Sequence, residues 1–275
     1  MLDFPLRLLG SAPFCSVENS QQGAGAPELV NFLTLIAEQF HGTAAADFLH
    51  RWQNIFFSLL ITAILGITAF LATRRAAMVP HPLQNFVEAL VEALDNFIVG
   101  ILGERGRRFV PFLGTLFIYI LSMNLFGLLP FMKSPTSAFT TTLPLALCVF
   151  FYVQYTGLRA LGPLGYLTHM AGSPKDAIGW ALAPVMFVIH IFGEFIKPVS
   201  LSLRLFGNIW GEDILIAVFV LLGVSALKFL PVPAGIPFQT PFIFLAIITS
   251  VVQAMVFTLL STIYIVLMLP HEEHL

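Results

Sequence analysis

The sequence predicts an all-α membrane protein with about five transmembrane helices and one interfacial amphipathic helix, in which the last two helices are long and strongly tilted. Of its 275 residues, 57% are hydrophobic and 10% are charged, whereas roughly 25% of the residues in an ordinary soluble domain are charged. The mean hydropathy of +0.89 comes from several separate apolar stretches. The net charge of −2, without a basic block, argues against nucleic-acid binding.

The chain divides into an external N-terminal segment, residues 1–50, and a single membrane domain, residues 51–275. Leu29 to Phe40 carry apolar residues at helical spacing, which predicts a short surface helix. The first residues contain too short an apolar run for a secretory signal. Spans of sufficient length for a hydrocarbon core of ~30 Å are predicted at about residues 53–73, 109–130, 138–158, 177–230 and 237–269.

Residues 82–102 differ from the spans, because their apolar and polar side chains fall on opposite faces of a helix. The apolar face carries Phe86, Leu90, Val91, Leu94, Phe97, Ile98 and Ile101, and the polar face carries Asn85, Glu88, Glu92 and Asp95. Such a helix either packs on protein or lies in the membrane interface, and the flanking spans favour the interface.

The last two apolar segments are longer than the ~20 residues that a perpendicular helix needs. A steep tilt, a kink or both must absorb the excess length. Pro198 is the obvious position for a kink, because proline removes a backbone donor and its ring clashes with the preceding turn.

Basic residues predict the orientation of the chain. Those that five crossings would place on one side are Arg74, Arg75, Arg105, Arg107, Arg108, Arg159 and Lys175. Arg51, Lys133 and Lys228 fall at the opposite ends. Because cytoplasmic loops are enriched in lysine and arginine, we expect the N-terminus outside and the C-terminus in the cytoplasm.

The fourth span contains ionisable residues at or near membrane depth, where each costs about 3 kcal/mol on insertion scales. They are His190, Glu194, Lys197, Arg204, Glu212 and Asp213. At about 100° per residue, Asp213 points nearly opposite to Arg204, while the other five share one stripe with Asn208. Such groups either line a pathway or pair with one another.

Glu194 and Lys197 are close enough in sequence to form an ion pair that only locks helices together. Arg204 is different, because Glu194 and Glu212 lie ten and eight residues away, at least ~12 Å along the helix. A guanidinium that is always charged therefore needs a carboxylate or water from elsewhere. The final span, by contrast, has no charged residue between Phe229 and Pro270; its Gln253 either joins helices or holds the arginine side chain.

Several stretches resemble subunit a of F-type ATP synthases. The most specific is KPVSLSLRLFGN, residues 197–208, which resembles the signature of that family. NLFGLLP at residues 124–130, Gln253 and the acidic tail HEEHL are also similar. The resemblance covers the chain from about residue 50 to the end.

The resemblance implies a non-catalytic subunit of the rotary complex that carries protons or sodium ions through two offset half-channels. Its implied partners are the ring of c subunits, whose carboxylates carry the ions, and the b subunits of the peripheral stalk. No metal or cofactor is implied, and the expected location is the inner membrane of a bacterium. Arg204 matches the essential arginine that separates the two half-channels and drives deprotonation of the ring carboxylate.

Other positions match the family one by one. Asn208 and Gln253 match polar positions near the arginine. Asp213 matches the acidic residue or histidine of the external half-channel, and the adjacent Glu212 is a second candidate. His190 stands where well-known members have glutamate in the internal half-channel; Glu194 is then a candidate for the missing carboxylate, with Ser200 in support. Ala246 stands where some relatives have histidine.

Two other classes of membrane protein agree less well with the sequence. An ion-coupled secondary transporter would be expected to show internal repeats, and none is visible. An intramembrane enzyme would need a nucleophile with a base or a metal cluster, and the histidines have no HExxH-type spacing.

Overall fold

The computed structural model describes residues 44–74, 82–129, 131–172, 177–226 and 237–269. The predicted surface helix at Leu29–Phe40 and most of the external segment lie outside the described residues. Within these ranges the chain forms α-helices and two short 3₁₀ turns, without a strand. The all-α fold class is confirmed.

Six α-helices follow one another along the described chain. They are α1 (Ala44–Thr73), α2 (Pro82–Leu102), α3 (Val110–Phe126), α4 (Phe139–Met170), α5 (Ala177–Ala226) and α6 (Thr240–Met268). The 3₁₀ turns, Glu104–Phe109 and Pro135–Ser137, precede α3 and α4. All except α2 are long and apolar enough to cross a membrane, which confirms the five predicted spans.

Helices α1 and α4 extend beyond the predicted spans. Helix α1 begins at Ala44, but the part that is long and apolar enough to cross a membrane is Trp52–Thr73, in agreement with the predicted span at about 53–73. Helix α4 continues to Met170, although its span was predicted to end at 158.

A break at Gly162 explains the extension of α4. Gly162 has φ 70° and ψ 168°, a backbone conformation that glycine adopts without steric cost. Pro163 follows, and its fixed φ suits the first position of a new helical turn. Gly162 and Pro163 therefore redirect α4, and its last turns bring Tyr166 back against the earlier part of the same helix.

Helix α5 is a single helix of 50 residues that continues through Pro184 and Pro198. Its length of about 75 Å is more than twice the thickness of a hydrocarbon core. Neither proline ends the helix. The steep tilt remains a prediction that follows from this length.

The apolar core lies where α3, α4, α5 and α6 pack together. Its fully buried residues include Leu113 and Ile120 of α3, Val149 of α4, Leu201 and Leu205 of α5, and Phe257 and Ile265 of α6. The close approach of α4 and α6 depends on Gly157, where an added Cβ would lie 3.4 Å from Met268. Small residues at such contacts are typical of membrane helices.

Helix α2 has the predicted bounds and lies at the edge of the bundle. Leu94 and Ile98 are buried, whereas Phe86 and Val91 of the same apolar face are exposed. An ion pair between Arg107 and Asp95, with 3.4 Å between Nη2 and Oδ2, joins the end of α2 to the following 3₁₀ turn. The exposed half of the apolar face fits the predicted interfacial position, which remains a prediction.

Candidate functional site

The functional candidates lie mainly along α5, where helical spacing aligns them. His190, Lys197 and Arg204 follow one another at intervals of seven residues, about two turns, and therefore share a face. The polar groups fall into three sets along α5. The groups around Glu194 are here called the inner cluster and those around Glu212 the outer cluster, and Arg204 lies between them in the sequence.

The inner cluster is built on Glu194, which is only 8% exposed. Lys197 Nζ donates a hydrogen bond to Glu194 Oε1 and forms an ion pair with it. Gln154 Nε2 of α4 donates to the other carboxylate oxygen, Oε2, at 2.9 Å. Both oxygens are thus engaged, which offsets the cost of burying the charge.

The cluster extends in both directions from this carboxylate. The Tyr166 hydroxyl, on the redirected end of α4, donates to Gln154 Oε1. On the other side, Lys197 Nζ lies 5.2 Å from the centre of the Tyr264 ring of α6, a cation–π contact. The cluster therefore connects three helices.

Sequence reasoning anticipated the Glu194–Lys197 pair but missed Gln154 and Tyr166. The available signal was a lone glutamine in the apolar stretch FFYVQYTGL. Polar residues inside a span usually face a partner within the bundle.

Arg204 is exposed and forms no hydrogen bond or ion pair with any residue in the described ranges. Leu203 and Val199 of the same helix are also exposed, as are Val252 and Met255 of α6. The guanidinium thus lies on an outward-facing apolar surface. In lipid an unpaired charge there is costly, so the surface fits a second molecule that brings a carboxylate.

The outer cluster lies between α5 and α6. The Thr249 hydroxyl lies within hydrogen-bond distance of two acceptors, Glu212 Oε2 at 2.7 Å and the backbone oxygen of Ala246 at 3.0 Å. Glu212 and the following Asp213 are both partly buried. The sequence had singled out the two acids but not Thr249 as their neighbour.

The remaining candidates fall into buried and exposed groups. Gln253 is 6% exposed, and its Nε2 has no hydrogen-bond partner among the described residues. Asn208, about one turn beyond Arg204, is exposed, as is Ser200, while His190 is half-buried. In the part of the chain that is described, the side chains of Asn208, Ser200 and His190 make no hydrogen bond. No group of three His, Cys, Asp or Glu side chains in the same ranges has the arrangement of metal ligands.

The arrangement places titratable groups at two levels along α5, with Arg204 between them. Glu212 and Asp213 can bind and release protons at one level, and His190 can do so at the other. Arg204 cannot release its proton, so it can only attract or repel.

Comparison with known proteins identifies the family of this chain. Residues 55–266 match the family of ATP synthase A chains. The ATP synthase subunit a of Protochlamydia amoebophila is 47% identical over 247 residues, which cover 90% of this chain and 91% of the relative. That of Solidesulfovibrio magneticus is 40% identical over 221 residues, 80% and 86% of the two chains. That of Moorella thermoacetica is 38% identical over 207 residues, 75% and 85% of the two chains.

Proposed function

The chain belongs to the ATP synthase A chain family, and from this premise we propose that it is the proton-translocating stator subunit of a rotary ATP synthase. It is a multi-pass membrane protein of that complex. In this proposal the chain catalyses no reaction itself. It conducts protons to and from the ring of c subunits in the inner membrane of a bacterium.

The observation that carries the proposal is the exposed Arg204 of α5, whose guanidinium makes no hydrogen bond or ion pair within the described ranges. A fixed positive charge in this position attracts a carboxylate and favours its ionised form. A rotating ring that presents one carboxylate after another would supply such a group. The exposed Leu203 and Val199 would then pack on the ring around the arginine.

The two levels of titratable groups support two offset half-channels. In the external one, Asp213 takes up protons from outside and Glu212 assists. In the internal one, His190 passes protons to the cytoplasm, with Glu194 and Ser200 in support. Asn208 and Gln253 orient the arginine and the nearby water.

Arg204 separates the half-channels in this mechanism. A proton that enters from outside neutralises a ring carboxylate, which can then move through the apolar surroundings. When the ring returns that carboxylate to the arginine, the positive charge favours release of the proton into the internal half-channel. The same charge repels a proton that would otherwise pass directly between the half-channels.

Partners follow from the same proposal. The c ring contacts the exposed face of α5 and α6, and the b subunits of the peripheral stalk hold the chain against rotation. The N-terminus lies outside and the C-terminus lies in the cytoplasm.

Replacing Arg204 with alanine tests the function. In membrane vesicles that contain the whole complex, Arg204→Ala should abolish ATP-driven proton pumping, because no charge remains to deprotonate the ring carboxylate. Passive proton leak through the membrane sector should increase, because the barrier charge is lost. Pumping is measured with a pH-sensitive dye, and assembly by co-purification of the other subunits.

Arg204→Lys is the matched control for charge. Lysine can lose its proton in apolar surroundings and lacks the planar fork of arginine, so it should restore little pumping. Near-normal coupled pumping in Arg204→Ala would contradict the proposed function.

A further inference from the structure

Thr249 of α6 lies against two hydrogen-bond acceptors although its hydroxyl carries a single proton. One acceptor is Glu212 Oε2 of α5 at 2.7 Å, and the other is the backbone oxygen of Ala246 at 3.0 Å. A hydroxyl group has one donor and two acceptor sites. The Thr249 side chain can therefore donate to either neighbour and still accept a hydrogen bond.

These two acceptors allow Thr249 to bind Glu212 in both protonation states. When Glu212 is ionised, the Thr249 hydroxyl donates to Oε2. When Glu212 is protonated at Oε2, its O–H donates to Thr249 Oγ1, and the threonine proton turns to the oxygen of Ala246. Only hydrogen positions change, since the oxygen atoms already lie at hydrogen-bond distances.

Among the described residues, few charged groups lie on the segments that carry or face Glu212. Asp213 is its neighbour on α5, and Arg204 lies about two turns away along the same helix. Helix α6 has no charged residue. The loop that leads to the 3₁₀ turn packed on α5 carries Lys133, and α4 carries Arg159 towards its far end. Thr249 is thus the neutral group that meets Glu212 across the helix interface.

We propose that Thr249 is a positioning residue for proton transfer, because it holds the Glu212 carboxyl group in place in both its ionised and its protonated form. The inference rests on the proposed function and assigns Glu212 the step between Asp213 and the ring. The O–H bond of Asp213 breaks as its proton passes through water to Glu212 Oε2, where a new O–H bond forms and leaves Asp213 ionised. That bond breaks when the proton passes through water to an ionised ring carboxylate, and Glu212 becomes ionised again.

A stationary carboxyl group matters because proton transfer depends on short, aligned hydrogen bonds. Without Thr249, a protonated Glu212 would lose its acceptor and an ionised Glu212 would lose a donor. The side chain would then turn to other partners in each state, and every transfer would require it to reorient.

Two substitutions at Thr249 separate the hydroxyl from the shape of the side chain. Thr249→Val has the same shape without the hydroxyl, whereas Thr249→Ser keeps the hydroxyl and loses a methyl group. In vesicles with the whole complex, Thr249→Val should lower ATP-driven pumping, and passive proton conduction after removal of the soluble sector, by three- to tenfold. Thr249→Ser should restore more than half of the wild-type rate.

Thr262→Val is the matched control on α6, because among the described residues the Thr262 hydroxyl donates only to the backbone oxygen of Thr258 in its own helix, at 2.8 Å. It should change both rates by less than twofold. Each variant is checked for assembly by co-purification of the complex.

A double substitution tests whether Thr249 acts through Glu212. Thr249→Val should cause no further loss in a Glu212→Gln background, since the group that it positions is already unable to titrate. The inference is overturned if the Thr249→Val complex conducts protons like the wild type, or if Thr249→Ser is as impaired as Thr249→Val. It is also overturned if the losses caused by Thr249→Val and by Glu212→Gln multiply in the double variant. Arg204→Ala in the same preparation reports separately on the proposed function, which stands if only the Thr249 results fail.

Discussion

Glu212 and Asp213 are neighbours in sequence but leave α5 in directions about 100° apart. Glu212 reaches α6 through Thr249. Asp213 points nearly opposite to Arg204 in the helical projection, so an ionised Asp213 attracts the guanidinium less than Glu212 would. Two adjacent acids can thus take different steps in one pathway, although they can also share a proton and titrate as a pair.

We expect Asp213→Asn to lower ATP-driven proton pumping at least tenfold, because asparagine keeps the shape of the side chain but cannot bind a proton from the external half-channel. Glu212→Asn should have a smaller effect, because Asp213 still takes up protons beside it. Pumping in vesicles and the amount of assembled complex are measured for both variants. If Glu212→Asn is the more impaired of the two, Glu212 is the uptake group.

At the scale of helices, the inner cluster joins α4, α5 and α6 around the ion pair of the buried Glu194 with the partly buried Lys197. Lys197 and Glu194 pair within α5, and Gln154 and Tyr166 attach the pair to α4. Removal of one member of a buried ion pair leaves an uncompensated charge and is strongly destabilising, whereas an apolar replacement of both is often tolerated. The cluster therefore has a structural role besides any role in conduction.

This role predicts the stability of two variants. Glu194→Ala should lower the thermal unfolding midpoint of the purified complex in detergent, because the partly buried Lys197 then loses its carboxylate partner. Glu194→Ala combined with Lys197→Met should recover most of the loss, because no buried charge remains. Scanning fluorimetry measures both midpoints. A double variant that is less stable than Glu194→Ala would show that the charges do not act as a pair.

At the scale of the whole molecule, five crossings would place the two ends of each spanning helix on opposite sides of the membrane. Arg107 precedes α3 and Lys133 follows it, whereas Arg159 lies within α4, shortly before the break at Gly162. Because basic residues favour the cytoplasmic side, the positions of Arg107 and Arg159 should be cytoplasmic, and that of Lys133 should be external.

Cysteine labelling tests this arrangement. Single cysteines are placed at positions 107, 133 and 159 in a chain from which Cys15 and Cys148 have been removed. A membrane-impermeant maleimide should label position 133 from outside, and the other two only from the cytoplasmic side. Labelling of positions 107 and 133 from the same side would contradict the five-span arrangement.

The sequence by itself determined the class of the protein, the number of helices that can cross a membrane and the family to which it belongs. These features are local, because a span is recognised from about 20 consecutive apolar residues and the family signature from the short segment at residues 197–208. The same reasoning placed α2 at its observed bounds. It ended the third span at 158, whereas α4 continues past the break at Gly162 to Met170.

Only the tertiary structure decided which side chains meet. Gln154 and Glu194 are 40 residues apart, and Glu212 and Thr249 are 37 residues apart; the helical period gives the face on which each residue lies but not the helix that covers it. The approach of α4 to α6 at Gly157, the break at Gly162 and the packing of α6 on α5 together bring these groups into contact. The partners of Glu194 and Glu212 therefore depend on how separate helices pack, which no single segment of the sequence contains.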